Sequence, residues 1–300
     1  MPDSKKFLHP EVVARIARLE LRARHIVEGF LSGIHRSPHF GQSVEFLQHR
    51  EYVPGDDLRH VDWKVWAKQD RLYVKQFEED TNLRTTLLVD VSGSMQYGSG
   101  PLTKYEYGCT VAASLAYMLL RQQDAVGCVS FDEHVRSTIP TRSKRNHLDA
   151  IVKALMVEVP RDKTDLYKIF RQVAEEYPRR GMMILVSDLL SDRQELVRGL
   201  KLLRKRGHDV MVFHVMDDDE LDFPFKGSTR FEGLESSETI RCNPRSLRDG
   251  YLSALQEFLA EIRRGCSNNI CDYDLIRTSQ PLSAVLAAYL SNRLGMHHRN

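Results

Sequence analysis

The chain has 300 residues, of which 42% are hydrophobic and 28% are charged. This is the composition of a globular protein that is long enough to bury a core without help from disulfides or metals. Its 43 lysines and arginines against 41 aspartates and glutamates leave a net charge of +2, so no general attraction to nucleic acid or to an anionic membrane is expected.

Neither export nor a membrane span is indicated by the sequence. The uncharged stretches are shorter than the roughly 20 residues that a transmembrane helix needs, and the first residues contain no apolar signal-peptide core. The five cysteines form an odd set without CxxC spacing. We therefore predict a cytoplasmic protein in which all five thiols are unpaired.

The pattern of apolar residues in the first 80 residues differs from that in the rest of the chain. Apolar residues at helical spacing between Val12 and Ile26 predict an amphipathic helix, and an irregular stretch is expected from Gly29 to Asp62. An alternating run at Leu72–Glu78 predicts a strand. These patterns predict an N-terminal module over residues 1–80, followed by a second domain over residues 81–300.

The second domain alternates between apolar strands and amphipathic helices. A capping box at Thr103 and Glu106 predicts the start of a helix that ends near Gln122, and Ser191 is expected to cap a later one. Nearly continuous apolar strands favour an α/β fold with a doubly wound, mostly parallel sheet and helices on both faces. Strands are predicted at Thr85–Val91, Ala125–Phe131, His134–Ile139, Met182–Ser187, Asp209–Val215 and Cys271–Arg277.

Polar residues follow the predicted strands at the points where open α/β sheets form their sites. Asp90, Ser92 and Ser94 follow one strand, Thr164 lies in a later loop, and Asp188 follows another strand. Carboxylates and hydroxyls are hard oxygen ligands, which suit Mg²⁺ or Mn²⁺ and not zinc. Two aspartates leave a divalent cation electrophilic enough to accept a carboxylate from a partner.

This arrangement resembles the metal-ion-dependent adhesion site of von Willebrand factor A-type domains. The D-x-S-x-S signature corresponds to Asp90, Ser92 and Ser94, the loop threonine to Thr164, and the later aspartate to Asp188. The family usually has glycine after that last aspartate, whereas this chain has Leu189.

A second resemblance is carried by residues 41–77, which include HREYVPGDDLRHVDWK at 49–64. This segment is similar to a bacterial family known as domain of unknown function 58, whose members couple it to an A-type domain. The resemblance covers roughly residues 35–290. It implies a partner or adaptor of a MoxR-type AAA+ ATPase, or of a client of that ATPase, in protein assembly or maturation.

Other interpretations of these residues remain open. The Asp90 loop could be a turn with a helix cap, or Asp90 could be the nucleophile of a Mg²⁺-dependent phosphohydrolase. The second reaction commonly needs an acid two residues later, where this chain has Ser92, so a non-enzymatic protein-binding module is the leading hypothesis. The acidic cluster within Asp56–Asp62 is interpreted as an ion-paired turn, and the acidic run Asp217–Glu220 as a solvated loop.

Overall fold

The computed structural model describes residues 10–34, 46–52, 65, 72–77, 84–144, 146–157, 165–235 and 238–297. The chain divides into two compact units, one formed by residues 32–82 and the other by residues 1–31 together with 83–300. Thr164 and the acidic cluster at 56–62 lie outside the described residues.

The smaller unit contains a two-stranded antiparallel sheet. Strands β1 (Phe46–Glu51) and β2 (Tyr73–Phe77) pair along their length, and the Tyr52 backbone N–H donates to the carbonyl of Leu72. The predicted strand at Leu72–Glu78 is confirmed by β2. The expectation of irregular structure was wrong for β1, because its sequence FLQHRE lacks the apolar–polar alternation from which a strand could be predicted.

The larger unit is built on a six-stranded sheet. Its spatial order is β10-β7-β6-β3-β4-β5, in which all neighbours are parallel except the antiparallel pair β4–β5. This order agrees with the α/β, von Willebrand factor A-like architecture predicted from the sequence. The strands are β3 (Arg84–Asp90), β4 (Ala125–Phe131), β5 (Val135–Arg142), β6 (Met182–Ser187), β7 (Asp209–Met216) and β10 (Asp272–Arg277).

Helices cover both faces of this sheet. Successive residues of β3 point to opposite faces, so Leu87 and Val89 join one apolar cluster and Leu88 joins the other. The first cluster includes residues of α1 (Pro10–Ile34), α2 (Lys104–Arg121), α3 (His147–Val157) and α8 (Leu282–His297). The second includes residues of α4 (Leu166–Glu176), α5 (Arg193–Lys205) and α7 (Pro244–Asn268).

The first helix contributes to the core of the larger unit. Leu19, Ala23 and Val27 are buried in the same cluster as the sheet residues, which continues the apolar stripe predicted for this helix. The helix extends to Ile34, beyond the predicted start of irregular structure at Gly29. Residues 1–31 are therefore grouped with the α/β unit, whereas the sequence placed them in a separate module of residues 1–80.

Several local features differ from the sequence predictions. Helix α5 is capped by Asp192, whose carboxylate accepts from the N–H groups of Gln194 and Glu195, and not by Ser191. A hairpin of β8 (Thr229–Glu232) and β9 (Thr239–Cys242) was not predicted, and neither was the short helix α6 (Asp218–Asp222). Within the described residues, no helix is both long and apolar enough to cross a bilayer.

Candidate metal and partner-binding site at the strand ends

Three neighbouring parallel strands bring acidic residues to one edge of the sheet. Strand β3 ends at Asp90, β6 is followed by Asp188, and β7 is followed by Asp217. Val89 pairs with Val186, and Ser187 pairs with His214, so these three strand ends are in register. The topology thus places at one edge carboxylates that are up to 127 residues apart in the chain.

The loop after β3 folds around the Asp90 carboxylate. Its Oδ1 accepts from the backbone N–H of Ser92 at 2.9 Å, and its Oδ2 accepts from the Ser187 hydroxyl at 2.5 Å. The hydroxyl oxygens of Ser92 and Ser94 lie 3.1 Å apart. The structure therefore brings together the three residues of the predicted D-x-S-x-S motif.

The Asp90 carboxylate is fully buried, and its pKa is raised to about 7. Burial is the main cause, because a charge is poorly solvated there, and repulsion from Asp188 adds to it. Hydrogen bonds from Ser187 and Ser92 act in the opposite direction. A cation near Asp90 would relieve both unfavourable effects.

Asp188 is already paired with a cation that belongs to the chain. Its Oδ2 lies 2.8 Å from Nζ of Lys104, which also lies 2.7 Å from Oε1 of Glu220. The Lys104 side chain has no exposed surface, Asp188 has 1% and Glu220 has 18%. This triad is a buried salt bridge between three elements, and no metal is required to form it.

Lys104 holds its charge in an unfavourable position. It is the first residue of α2, where the partial positive charge of the helix N-terminus repels a cation. Burial alone would lower its pKa, but Asp188 and Glu220 outweigh burial and raise the pKa of Lys104 to about 12. The two carboxylates therefore stabilise the charged form of the ammonium against the effect of burial.

The acidic run after β7 belongs to the same site. The Asp217 carboxylate is buried and accepts from the hydroxyls of Ser99 and Thr278 at 2.5 and 2.8 Å, and these bonds lower its pKa against the effect of burial. Glu220 accepts from the N–H of Asp217, and burial raises its pKa. The interpretation of this run as a solvated loop was wrong, because Asp217 is buried and Glu220 pairs with Lys104.

The residue after Asp188 keeps the backbone conformation that a glycine would favour. Leu189 has φ +55°, in the left-handed region that residues with a branched side chain rarely adopt. Its side chain is buried in the second apolar cluster, and its N–H donates to the Ser187 hydroxyl at 2.9 Å. Leu189 thus combines the turn after Asp188 with packing that glycine would not provide.

A carboxylate from a distant segment reaches the Asp90 loop. The backbone N–H of Ser94 donates to Oε1 of Glu235 at 3.0 Å. Glu235 lies between β8 and β9, 141 residues away in the chain. The loop that carries the D-x-S-x-S motif therefore accommodates an acidic side chain from another part of the molecule.

The donor set fits a hard divalent cation. Asp90, Ser92, Ser94 and Asp188 supply carboxylate and hydroxyl oxygens, as Mg²⁺ and Mn²⁺ prefer. Thr164, the fifth predicted ligand, lies outside the described residues. In the part of the chain that the structure describes, no group of three or more His, Cys, Asp and Glu side chains is arranged to hold a metal.

Three residues of the candidate site were not predicted from the sequence. Lys104 was assigned only to a helix start, Glu220 only to an acidic loop, and Glu235 to no element. Lys104 lies 84 residues from Asp188 and 116 from Glu220, so no local spacing joins them. The one available signal was a lysine at the first position of a helix, where cations are disfavoured.

Proteins similar to this chain are found among bacterial sequences and among solved structures. The relatives named "Uncharacterized protein Mb1516" of Mycobacterium bovis and "Uncharacterized protein Rv1480" of Mycobacterium tuberculosis are each 26% identical over 292 residues, which span 95% of this chain and 90% of theirs.

Three solved structures show similarity in fold at low sequence identity. BatB from Bacteroides thetaiotaomicron is 14% identical, with a TM-score of 0.44, over 70% of this chain and 98% of that one. An aerotolerance-related membrane protein from Bacteroides fragilis is 17% identical, with a TM-score of 0.47, over 69% of this chain and 97% of that one. The SpRpn10 VWA domain is 18% identical, with a TM-score of 0.41, over 69% of this chain and 94% of that one.

The family assignment depends on the match to a family model. The family described as "Protein of unknown function DUF58" matches residues 48–259, which include the whole of the quoted 49–64 segment, the Asp90 loop and the Lys104 triad. This match confirms the second resemblance seen in the sequence. The chain belongs to the DUF58 family.

Proposed function

We propose that this chain is a non-enzymatic protein-binding module that uses the strand-end site to bind an acidic side chain of a partner. The observation that carries the proposal is the contact between the Ser94 N–H and Glu235, because a carboxylate from another segment is accommodated at the D-x-S-x-S loop. A partner's aspartate or glutamate would take a similar place.

We propose that the site acts with Mg²⁺ or Mn²⁺ held by Asp90, Ser92, Ser94 and Asp188, with Thr164 as a further ligand. The bound cation would attract the partner's carboxylate and offset the repulsion between Asp90 and Asp188. Ser92 and Ser94 are neutral donors, so they would hold the cation without cancelling its charge. Lys104 already compensates Asp188 and Glu220, which leaves Asp90 as the carboxylate that depends most on the metal.

The partner that we propose is a MoxR-type AAA+ ATPase or a client delivered to it. This part of the proposal rests on the family resemblance. An enzymatic role for Asp90 has less support, because Ser92 occupies the position of the general acid and a hydroxyl cannot replace a carboxyl group as proton donor near neutral pH.

The proposal is tested by titrating the purified MoxR-type ATPase against the full chain with Mg²⁺ or with a chelator. We expect affinity to fall at least about tenfold on chelation, and to fall similarly in Asp90→Ala and in Ser92→Ala/Ser94→Ala. Asp149→Ala is the matched control, because the Asp149 side chain is 49% exposed and pairs with Lys153 one helical turn away. Circular dichroism reports whether each variant is folded.

Two results would overturn the proposal. Equal affinity with and without chelator in folded protein would exclude a metal-dependent contact. Turnover of p-nitrophenyl phosphate by the pure protein, lost in Asp90→Asn, would support the phosphohydrolase alternative instead.

A further inference from the structure

An aromatic pocket lies beside the strand-end site, between α6, the β8–β9 hairpin and the first turns of α7. Its volume is about 550 Å³. Phe223 forms its base, with ring centroids 4.6 Å from Tyr251, 5.1 Å from Phe225 and 5.9 Å from Phe231. This volume lies within the range of about 300–1,000 Å³ that is typical of ligand pockets in proteins.

The pocket is open, and its edge is apolar. Ile240 and Leu247 both line it and are 60% and 47% exposed, whereas Phe223 at its base is only 7% exposed. Large aliphatic side chains that surround an aromatic base gain from being covered, because burial removes their apolar surface from water. This geometry suits a partner that inserts a large apolar side chain.

One end of the pocket is acidic. Asp219 and Glu220 line it, and no lysine or arginine is among its described lining residues. Lys104 neutralises Glu220, but Asp219 accepts one long hydrogen bond of 3.4 Å from the Tyr97 hydroxyl and has no basic partner within the described part of the chain. Asp219 is thus a carboxylate that a cation can reach from the pocket.

This negative charge affects the pKa of Tyr97, which also lines the pocket. Burial raises the pKa of its hydroxyl to about 12, and repulsion from Asp219, Asp217 and Glu220 contributes to the shift. A cationic group entering at this end would meet attraction from Asp219.

We propose that the aromatic pocket binds a partner segment that presents a large apolar side chain next to a lysine or arginine. The apolar side chain packs on Phe223 and Phe231, and the neighbouring cation pairs with Asp219. A guanidinium or ammonium also gains from contact with aromatic faces. This recognition is separate from the strand-end site and requires no metal.

The test uses the full chain and capped hexapeptides of the form Gly-Ser-X-Z-Ser-Gly, in which X is Phe, Leu or Ser and Z is Arg, Lys, Ser or Glu. Cys242 lines the pocket and is partly exposed, while the other four cysteines are buried. The rate at which N-ethylmaleimide alkylates Cys242 under native conditions therefore reports occupancy, and calorimetry gives the affinity. We expect protection only when X is apolar, and about tenfold weaker binding for Glu than for Arg at Z.

Variants identify the residues that cause these effects. Ile240→Asp should abolish protection, and Asp219→Asn should remove the preference for a basic Z while keeping the preference for an apolar X. Ile270→Asp is the matched control, because Ile270 is 68% exposed at the other end of α7 and should change nothing.

Several results would overturn the proposal. They are the absence of protection by any peptide, equal binding of Arg and Glu peptides, and unchanged binding in Ile240→Asp. Sedimentation that shows a dimer of wild-type protein and a monomer of Ile240→Asp would assign the pocket to a second copy instead. The titrations are made with chelator and in Asp90→Ala, where binding should persist, so failure of the metal-dependent function leaves this result unaffected.

Discussion

Replacing Lys104 by methionine tests the buried triad directly. Methionine is unbranched and of similar length, so the substitution removes the ammonium and keeps most of the apolar packing. In Lys104→Met, Asp188 and Glu220 would remain largely buried without their shared cation, which lies 2.8 and 2.7 Å from them in the wild-type protein. Their charges would then repel each other in poorly solvated surroundings.

The expected loss of stability is large. Removing one partner of a buried ion pair costs about 3–5 kcal/mol, since the remaining charge is neither paired nor hydrated. For a unit of this size, each kcal/mol lowers the melting temperature by about 2 °C, so the midpoint should fall by about 6–10 °C at pH 7.5. The loss should shrink as the pH falls, because protonation discharges the carboxylates that lack a partner.

The assay is thermal and urea denaturation followed by circular dichroism in the presence of chelator. Lys153→Met provides the matched control, because Lys153 pairs with Asp149 at 2.7 Å and the two side chains are 50% and 49% exposed. Such a surface pair contributes at most about 1 kcal/mol. Adding Mg²⁺ should stabilise Lys104→Met more than the wild-type protein, because the cation can compensate the carboxylates.

The reasoning would be refuted if Lys104→Met lost no more stability than Lys153→Met while both remained folded. It would also be refuted if the loss were the same at pH 5 and pH 7.5. Either result would mean that Asp188 and Glu220 are hydrated well enough to need no internal cation.

Three further predictions follow from single features of the structure. The folded state holds a proton on Asp90 up to about pH 7, so the free energy of unfolding without metal should fall as the pH rises from about 4 to 7. In urea titrations, the stability of Asp90→Asn relative to wild type should therefore increase by about 1–4 kcal/mol between pH 4.5 and pH 8. A difference that stayed constant over this range would contradict the buried carboxylate. Gly199→Ala would place a Cβ 2.1 Å from the Phe170 ring and should lower the free energy of unfolding by about 1–3 kcal/mol, measured by calorimetric melting. Gly250→Ala, with open space around it, should be neutral or slightly stabilising. Equal effects of the two substitutions would exclude close packing of α4 on α5. Titration with a thiol reagent should find one fast cysteine, Cys242, in native protein and five after denaturation without reductant, and a total of three would indicate a disulfide.

The sequence by itself was sufficient for the elements that depend on local pattern. The continuous apolar runs of β3 and β6 and the reciprocal cap of Thr103 and Glu106 are local signals, and the structure confirms all three. The motif residues of the Asp90 loop could be recognised for the same reason, because they lie within five consecutive positions. Asp188 could be added because the ends of parallel strands meet at one edge of a sheet.

Other features were decided only by the tertiary structure. Ser191 and Asp192 are both capping residues in sequence terms, and the path of the chain after Leu189 determines that Asp192 is the one at the helix end. Likewise, whether residues 1–31 form their own domain depends on whether the stripe at Leu19 and Ala23 finds an apolar surface to cover, and the sheet provides it.

The charge balance of the site shows most clearly the difference between what the sequence determined and what the tertiary structure decided. In the sequence, Lys104 is an ordinary surface residue type at a helix start, and Glu220 belongs to a run of acids that would be solvated if it were isolated. Folding brings both against Asp188 in largely buried surroundings, where the opposite charges compensate each other. Burial and distance determine which charges must compensate each other, and neither quantity can be read from residue types or from their spacing along the chain.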